Sequence, residues 1–515
     1  MTIKLTSKGT FSRDTELHAT LVAAAAQLAK KDHTLWGKAA EAESSIRLNW
    51  VDLPTESKKL IPELQRMKAW IEAQGLSQFV LAGMGGSSLG PEVLAKTYKK
   101  NLIVLDSTDP DQIAASTPAD LSRVAIIVGS KSGSTAETAS QKAYFTERLV
   151  AAGLEPKNHF IIITDPGSPF DIESRALGYF VINADPNVGG RFSVLSAFGI
   201  VPAAALGIDI EELLNDAEQA ALSFTHPDSL AVDLACTVLE AGKQNIAFSD
   251  SGSKVPGLSD WIEQLIAEST GKEGKGFLPI AVESATAPIA GPALRVAFSP
   301  ADADADIVVE ASLGEQFILW EWVTCLVSVA LQINPFDQPN VQDAKVRALA
   351  LLDSWNNKVP QLVPSFESES IQVFSASNAQ SLAQQIDDFI LLKPHYIAVM
   401  AYLARGIDDS ITDIRSLVAL RSGAGTSFGW GPRFLHSTGQ YHKGGQPNGA
   451  FIQVTGENHQ DISIPGKDFS FHTLLMAQAL GDGEALGEKK LPLIRFHLKN
   501  REAGIQELLK AFKTL

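Results

Sequence analysis

An apolar run from Val124 to Val128 is followed by Gly129-Ser130-Lys131-Ser132-Gly133-Ser134-Thr135 and then by a helix-like run ending near Gly153. A strand, a hydroxyl-rich loop and a helix N-terminus in that order make a cradle for an anion. Free backbone N–H groups and the positive end of the helix dipole favour negative charge there, and small hydroxyl side chains donate without bulk. Ser130, Ser132 and Thr135 are the candidate phosphate ligands, and Lys131 supplies charge. Ser134 and Glu137 also stand at capping-box spacing, a helix-starting role compatible with the cradle. A second loop, Gly83-Met84-Gly85-Gly86-Ser87-Ser88-Leu89-Gly90-Pro91, likewise follows a strand-like run and opens a helix. It approaches a dinucleotide fingerprint, with Asp106 about where a ribose-binding acid would fall. Ser88, however, stands where the third glycine is required. Two hydroxyl-rich cradles suit a sugar phosphate better than a dinucleotide.

A carboxylate able to move protons is offered by Glu268, which ends the amphipathic run Asp260 to Ala267 and precedes Ser269-Thr270-Gly271-Lys272. Most Glu residues are ordinary surface acids, so Glu268 gains weight only from its company. Asp302, Asp304 and Asp306 imitate the start of a calcium loop, but Ile307 replaces its turn glycine and Leu313 its closing Glu. With no convincing Cys/His cluster, neither a metal nor another cofactor is expected.

The elements that must hold these groups are legible as alternating apolar runs and helix-like segments. Candidate strands at Phe79–Ala82, Leu102–Leu105, Val124–Val128, Phe160–Ile163 and Tyr179–Ile182 predict a parallel sheet covered on both faces. A second series follows at Asn245–Phe248, Leu278–Val282, Leu294–Phe298 and Asp306–Val309, then a long helix from Leu313 to Ile333 stopped by Asn334 and Pro335. The tail gives further strands at Ile371–Phe374, Tyr396–Met400, Ala450–Val454 and Leu493–Phe496. The stretch before about Lys68 is Ala-rich and helix-like.

Composition narrows the function classes. Hydrophobic residues make up 45% and charged residues 20% of 515 residues, as in a globular protein of several domains. A net charge of −16 opposes a nucleic-acid partner but allows a local pocket for one small anion. The opening residues lack an apolar signal core and no run reaches the length of a membrane span, so no membrane partner and a cytoplasmic location are expected. The two cysteines, Cys236 and Cys325, fall in apolar helix-like stretches and fit a reducing compartment.

Taken in order, Gly83 to Pro91, Leu105 to Pro110, Ser130 to Thr138, Gly189-Gly190-Arg191-Phe192-Ser193, Glu268 to Gly276 and Asn334-Pro335-Phe336-Asp337-Gln338 resemble the phosphoglucose isomerase family. The run Leu435 to Gly445 resembles the isomerase half of transaldolase–isomerase fusions, without an aldolase half here. The resemblance implies an α/β fold of two doubly wound parallel-sheet sugar-isomerase (SIS) domains with an α/β C-terminal extension. Its expected divisions are a helical segment 1–67, a phosphate-cradle domain 68–225, a second domain 226–365 and the extension 366–515. It further implies reversible conversion of D-glucose 6-phosphate to D-fructose 6-phosphate through an enediol, in glycolysis and gluconeogenesis, by a homodimer. A related isomerase with mannose activity and a non-catalytic sugar-phosphate sensor are the competing readings.

By the same resemblance Glu268 is the base shuttling a proton between C1 and C2, Arg191 faces the enediolate, and Gly86 and Ser87 contact the sugar. Gln338 and Lys345 match a pair seven residues apart that serves substrate oxygens or ring opening. The ring-opening histidine of the family is missing, because no His lies between His226 and His395. His436 is the preferred substitute, with His442 second.

Overall fold

Strand Gln78–Gly83 lies inside a sheet ordered Ile103–Leu105, Gln78–Gly83, Val124–Gly129, Phe160–Thr164, Phe180–Asn183, with every neighbouring pair parallel. The computed structural model that provides this description covers residues 3–9, 12–355 and 358–513, apart from the side chains of 342–345. Side chains alternate between the two faces of a strand, so a run that is apolar throughout must be covered twice. Leu81, Ile127, Ile161 and Ile163 pack on one side with the helix Ala197–Ala205. Val80, Ala82, Val128 and Ile162 pack on the other, against Phe471, Leu474 and Ala477 of the helix Phe471–Glu488.

The chain leaves Gln78–Gly83 toward Ile103–Leu105 on one side and then returns to Val124–Gly129 on the other. In open α/β sheets a ligand crevice is expected where the winding reverses in this way, beyond the carboxyl ends of the two strands. Both Gly/Ser loops of the sequence leave the sheet at this point.

The second sheet runs Lys4–Ser7, Ile307–Glu310, Ala293–Ala297, Asn245–Ser249, Leu278–Ala281. Its internal pairs are parallel, and the strand Lys4–Ser7 pairs antiparallel with Ile307–Glu310. This strand departs from the all-helical reading of the first residues. It is too short to announce itself by periodicity, and it is a strand because a distant sheet edge accepts it, with Lys4 opposite Glu310, 306 positions along the chain.

The third sheet is ordered Phe366–Glu367, Ile371–Phe374, Leu493–Leu498, Gly449–Gly456, Tyr396–Tyr402, Gly425–Trp430, antiparallel at its first two pairs and parallel beyond. It is an α/β unit, but its packing is intimate. Tyr396, Met400 and Tyr402 share a core with Ala247, Leu278 and Ile280 of the second sheet. Buried Arg501 clasps Asp109 of the first unit at 2.7 Å, and Arg433 bonds Asp106 at 2.7 Å and Glu92 at 2.6 Å.

The strand Gly425–Trp430 has no counterpart among the strands expected from sequence, because Gly425, Ser427 and Gly429 interrupt the apolar run by which the other strands are read, although Thr426, Phe428 and Trp430 suit a strand. No helix among the described residues is long and apolar enough to cross a membrane.

Candidate active site

Glu268 lies in the last turn of the helix Leu258–Thr270, which is wholly buried along its length from Trp261 to Thr270 and anchored by a Trp261–Phe317 edge contact at 4.8 Å. The structure extends this helix past the expected Ala267, so the carboxylate is held on a rigid element rather than in a turn. Its side chain is about 95% removed from water, and Arg191 Nη1 donates to its Oε2 at 3.0 Å. Burial pushes the Glu268 carboxyl up, opposed by Arg191, then His436, then the Gln264 side chain. The free carbonyls at a helix C-terminus act in the same upward direction.

Arg191 is fixed on every side. The same Nη1 donates to Gln338 Oε1 at 2.9 Å, while Nε and Nη2 donate to Pro335 O at 3.2 and 2.8 Å and Nη2 also to Asp337 O at 2.8 Å. Residues that are 147 positions apart in the chain thus form one set of donors and acceptors around the carboxylate. Such a fork aimed at a fixed point is suited to stabilising an oxyanion.

The Asn334–Gln338 turn is itself held by Lys272, whose ammonium donates to Asn334 O, Asp337 O and Asp337 Oδ1, each at 2.7 Å. Burial pushes the Lys272 pKa down to about 8. Lys272, Asp337 and Gln264 are not singled out by the sequence. The first two lie inside motifs quoted above, and Gln264 is one helical turn before Glu268, on the same face.

The glycine loop reaches this group because Gly85 and Gly86 have no side chains. A Cβ on Gly86 would stand 1.9 Å from Gly190 O, and one on Gly85, whose φ is +55°, would stand 2.7 Å from Gln264 Nε2. Gly85 and Gly86 therefore press against the Arg191 turn and the Glu268 helix as only glycine can. Ser87 stands between the two strand ends, with its Cβ 3.0 and 3.1 Å from the Cβ positions that Gly83 and Gly129 would carry.

At the second loop the helix Ala136–Ala151 begins after Thr135, whose hydroxyl makes no capping bond. Ser132 and Ser134 have hydroxyls 2.6 Å apart on the exposed side of the loop, while Ser130 is buried and accepts from Gly133 N at 3.1 Å. Ser130 thus shapes the loop, and the hydroxyls of Ser132, Ser134 and Thr135 remain at its mouth. Lys131 turns away from that mouth: its ammonium meets Asp165 at 3.1 Å and donates to Val188 O at 3.0 Å.

Glu137 does not close a capping box with Ser134. It sits in the first turn of the helix, where its Oε1 accepts from Gln478 Nε2 at 2.8 Å and lies 3.0 Å from His436 Nε2. The side chain of Lys345 lies outside the described residues; its backbone is in the helix Pro339–Ser354.

His442 is fully enclosed by Tyr396, Phe434 and Phe451, and burial pushes its pKa down to about 3. It is a neutral core imidazole. The rest of the Leu435–Gly445 motif wraps the end of the Glu268 helix: Gln440 Nε2 donates to Gly271 O at 2.9 Å, and Gln264 Nε2 to His436 O at 2.8 Å.

The acidic loop is equally structural, since Asp306 Oδ2 accepts from Arg295 N at 2.8 Å and Asp302 pairs with Arg295 at 3.3 Å. Among the described residues no group of three or more His, Cys, Asp or Glu is arranged to hold a metal.

A cradle at a sheet reversal, a buried carboxylate and a fixed arginine come together around a segment of known type. Residues 56–255 match the phosphoglucose isomerase family model. The glucose-6-phosphate isomerase of Carboxydothermus hydrogenoformans is 32% identical over 257 residues, covering 45% of this chain and 55% of that one. A glucose-6-phosphate isomerase of Thermus thermophilus is 31% identical over 245 residues, covering 45% and 58%. The chain spans little more than half the length of these curated relatives. A crystal structure of a glucose-6-phosphate isomerase from Chlamydia trachomatis aligns with a TM-score of 0.55 at 19% identity, covering 68% of this chain and 88% of that one. This likeness shows the fold.

Proposed function

We propose that the chain is a phosphoglucose isomerase that reversibly converts D-glucose 6-phosphate to D-fructose 6-phosphate. The observation that carries this reading is the buried Glu268 carboxylate, its pKa raised by burial, held 3.0 Å from Arg191 beside the Gly85–Ser87 loop. A carboxylate in that environment is basic enough to take a proton from carbon and acidic enough to return it.

In this reading the substrate phosphate is taken by the helix N-terminus and the hydroxyls of Ser132, Ser134 and Thr135, with Ser130 and Lys131 shaping the loop. Gly86 and Ser87 allow close approach of the sugar. Glu268 removes the proton from C2 of the open-chain aldose and delivers it to C1, while the O2 hydroxyl proton passes to O1, so that the C1 carbonyl becomes a hydroxyl and the C2 hydroxyl a carbonyl. Arg191, kept in place by Gln338, balances the charge that develops on the enediolate oxygens.

His436 moves the proton between ring oxygen and C1 hydroxyl that opens the closed sugar, and Lys345 serves substrate oxygens. Neither a metal nor an organic cofactor enters these steps. The active form is a cytoplasmic homodimer acting in glycolysis and gluconeogenesis.

A coupled assay with glucose 6-phosphate and mannose 6-phosphate tests the reading. Turnover of the first is expected; turnover of neither would sink the isomerase assignment and favour a sugar-phosphate sensor.

A further inference from the structure

We propose that a cavity between the C-terminal sheet and the helix Phe471–Glu488 binds a small organic oxyanion, a phosphate or carboxylate, through Arg495. Arg495 lies on the strand Leu493–Leu498, directly across from Phe374, and its guanidinium carbon sits 4.3 Å from the Phe374 ring centre. The residue is only 8% exposed, its Nε is sealed from solvent with no hydrogen-bond partner, and no ion pair reaches its guanidinium among the described residues.

The other strongly buried arginines are different. Arg191, Arg415, Arg433 and Arg501 each face a carboxylate. Removing a guanidinium from water without a counter-charge is costly, and an apolar side chain would serve the packing better. Burial pushes the Arg495 pKa down only to about 10, so it keeps its charge at neutral pH.

The cavity beside it measures about 410 Å³, within the range of small-molecule sites and larger than inorganic phosphate needs. His472, Met476 and Leu480 line it from one face of the helix, giving a polar end and an apolar wall for a carbon body. His497 lines it too, its Nδ1 3.0 Å from Thr455 Oγ1 and its Nε2 3.2 Å from Glu457 Oε1. Glu457, the carboxylate of the lining, is thereby engaged by His497 and is mostly exposed at the rim. Gln478, on the far side of the same helix, reaches Glu137 at the candidate active site, so the two sites are separate.

Equilibrium dialysis of the full chain with glycerol 3-phosphate at constant ionic strength tests the site. In a Ser132→Ala/Thr135→Ala background, which weakens the other phosphate cradle, about one equivalent per chain is expected to bind. Adding Arg495→Met should weaken it at least about 10-fold, and Arg495→Lys should do so less, because it keeps charge but loses the planar fork. The unliganded Arg495→Met protein should melt at or above its parent, since an unpaired buried charge is removed.

Binding unaffected by Arg495→Met would overturn the proposal. So would a parent that binds no glycerol 3-phosphate beyond the cradle while Arg495→Met loses self-association, which would assign the cavity to a carboxylate from a second copy of the chain.

Discussion

Glu137 Oε1 lies 3.0 Å from His436 Nε2, joining the first turn of the helix behind the Ser130–Thr135 loop to a residue 299 positions later. Gln478 donates to the same oxygen at 2.8 Å and accepts from Thr108 at 2.7 Å, so the carboxylate that orients His436 is itself oriented. With Nε2 engaged by Glu137, the ring-opening role proposed for His436 would fall to its other ring nitrogen.

His436→Ala is expected to slow turnover of cyclic glucose 6-phosphate by about 10²-fold while sparing proton exchange on an open-chain analogue. Glu137→Gln should give a smaller loss of the same kind, because it keeps the contact and removes the charge. Equal slowing on both substrates would assign His436 to positioning alone.

Glu268→Gln keeps shape and removes basicity, and Arg191 keeps Gln338, Pro335 O and Asp337 O as partners. Turnover should fall at least about 10²-fold with little change in KM. Near-normal turnover in the folded variant would remove Glu268 from the mechanism.

Replacing Ser132 and Thr135 together by Ala should leave the fold intact, since Ser132 lies at the loop's exposed side and the Thr135 hydroxyl makes no cap. Sugar phosphates should bind at least about 10-fold more weakly while free sugars bind as before. Parallel loss for both ligands would place the phosphate elsewhere.

Lys272 sets an alkaline limit. It is protonated below about pH 8, and as pH rises through that value it loses the ion pair that holds Asp337 and the turn around Arg191. Its folded pKa is lower than in the unfolded chain, so between about 8 and 10.4 its own contribution to stability rises with pH while activity falls. The profile of kcat against pH should therefore bend down near pH 8 without unfolding. Because the Asp337 carboxylate raises the Lys272 pKa, Asp337→Asn should move the bend to lower pH; a profile flat to about pH 10 would contradict this role.

Glu321, in the helix Leu313–Leu331, is fully buried, and among the described residues neither carboxyl oxygen has a hydrogen-bond partner. Burial holds its pKa well above the usual carboxylate range. Such a group stabilises the fold below the unfolded value of about 4.3 and loses that contribution as pH rises toward its folded value. Chemical denaturation should show Glu321→Gln gaining on the parent as pH rises above the unfolded value toward the raised folded one, by up to about 1.4 kcal/mol per pH unit. A difference independent of pH would mean that Glu321 ionises in the folded protein.

The sequence by itself determined the parts governed by local patterns. Runs such as Val124 to Val128 are apolar at every position because both faces of their sheet are covered, and this placed most strands of all three sheets close to their observed bounds. Glycine at 85 and 86 and hydroxyls at 130, 132 and 135 marked the two loops, since backbone approach and small donors need those residue types.

Only the tertiary structure decided how distant groups share one site. It turned Lys131 toward Asp165 and Val188, gave Glu137 to His436 instead of to Ser134, and enclosed His442 in a wall of aromatic rings. It also folded the strand Lys4–Ser7 onto an edge formed far later in the chain. These outcomes depend on which surfaces meet when three sheets pack, and a contact energy between residues hundreds of positions apart leaves no periodicity in the chain.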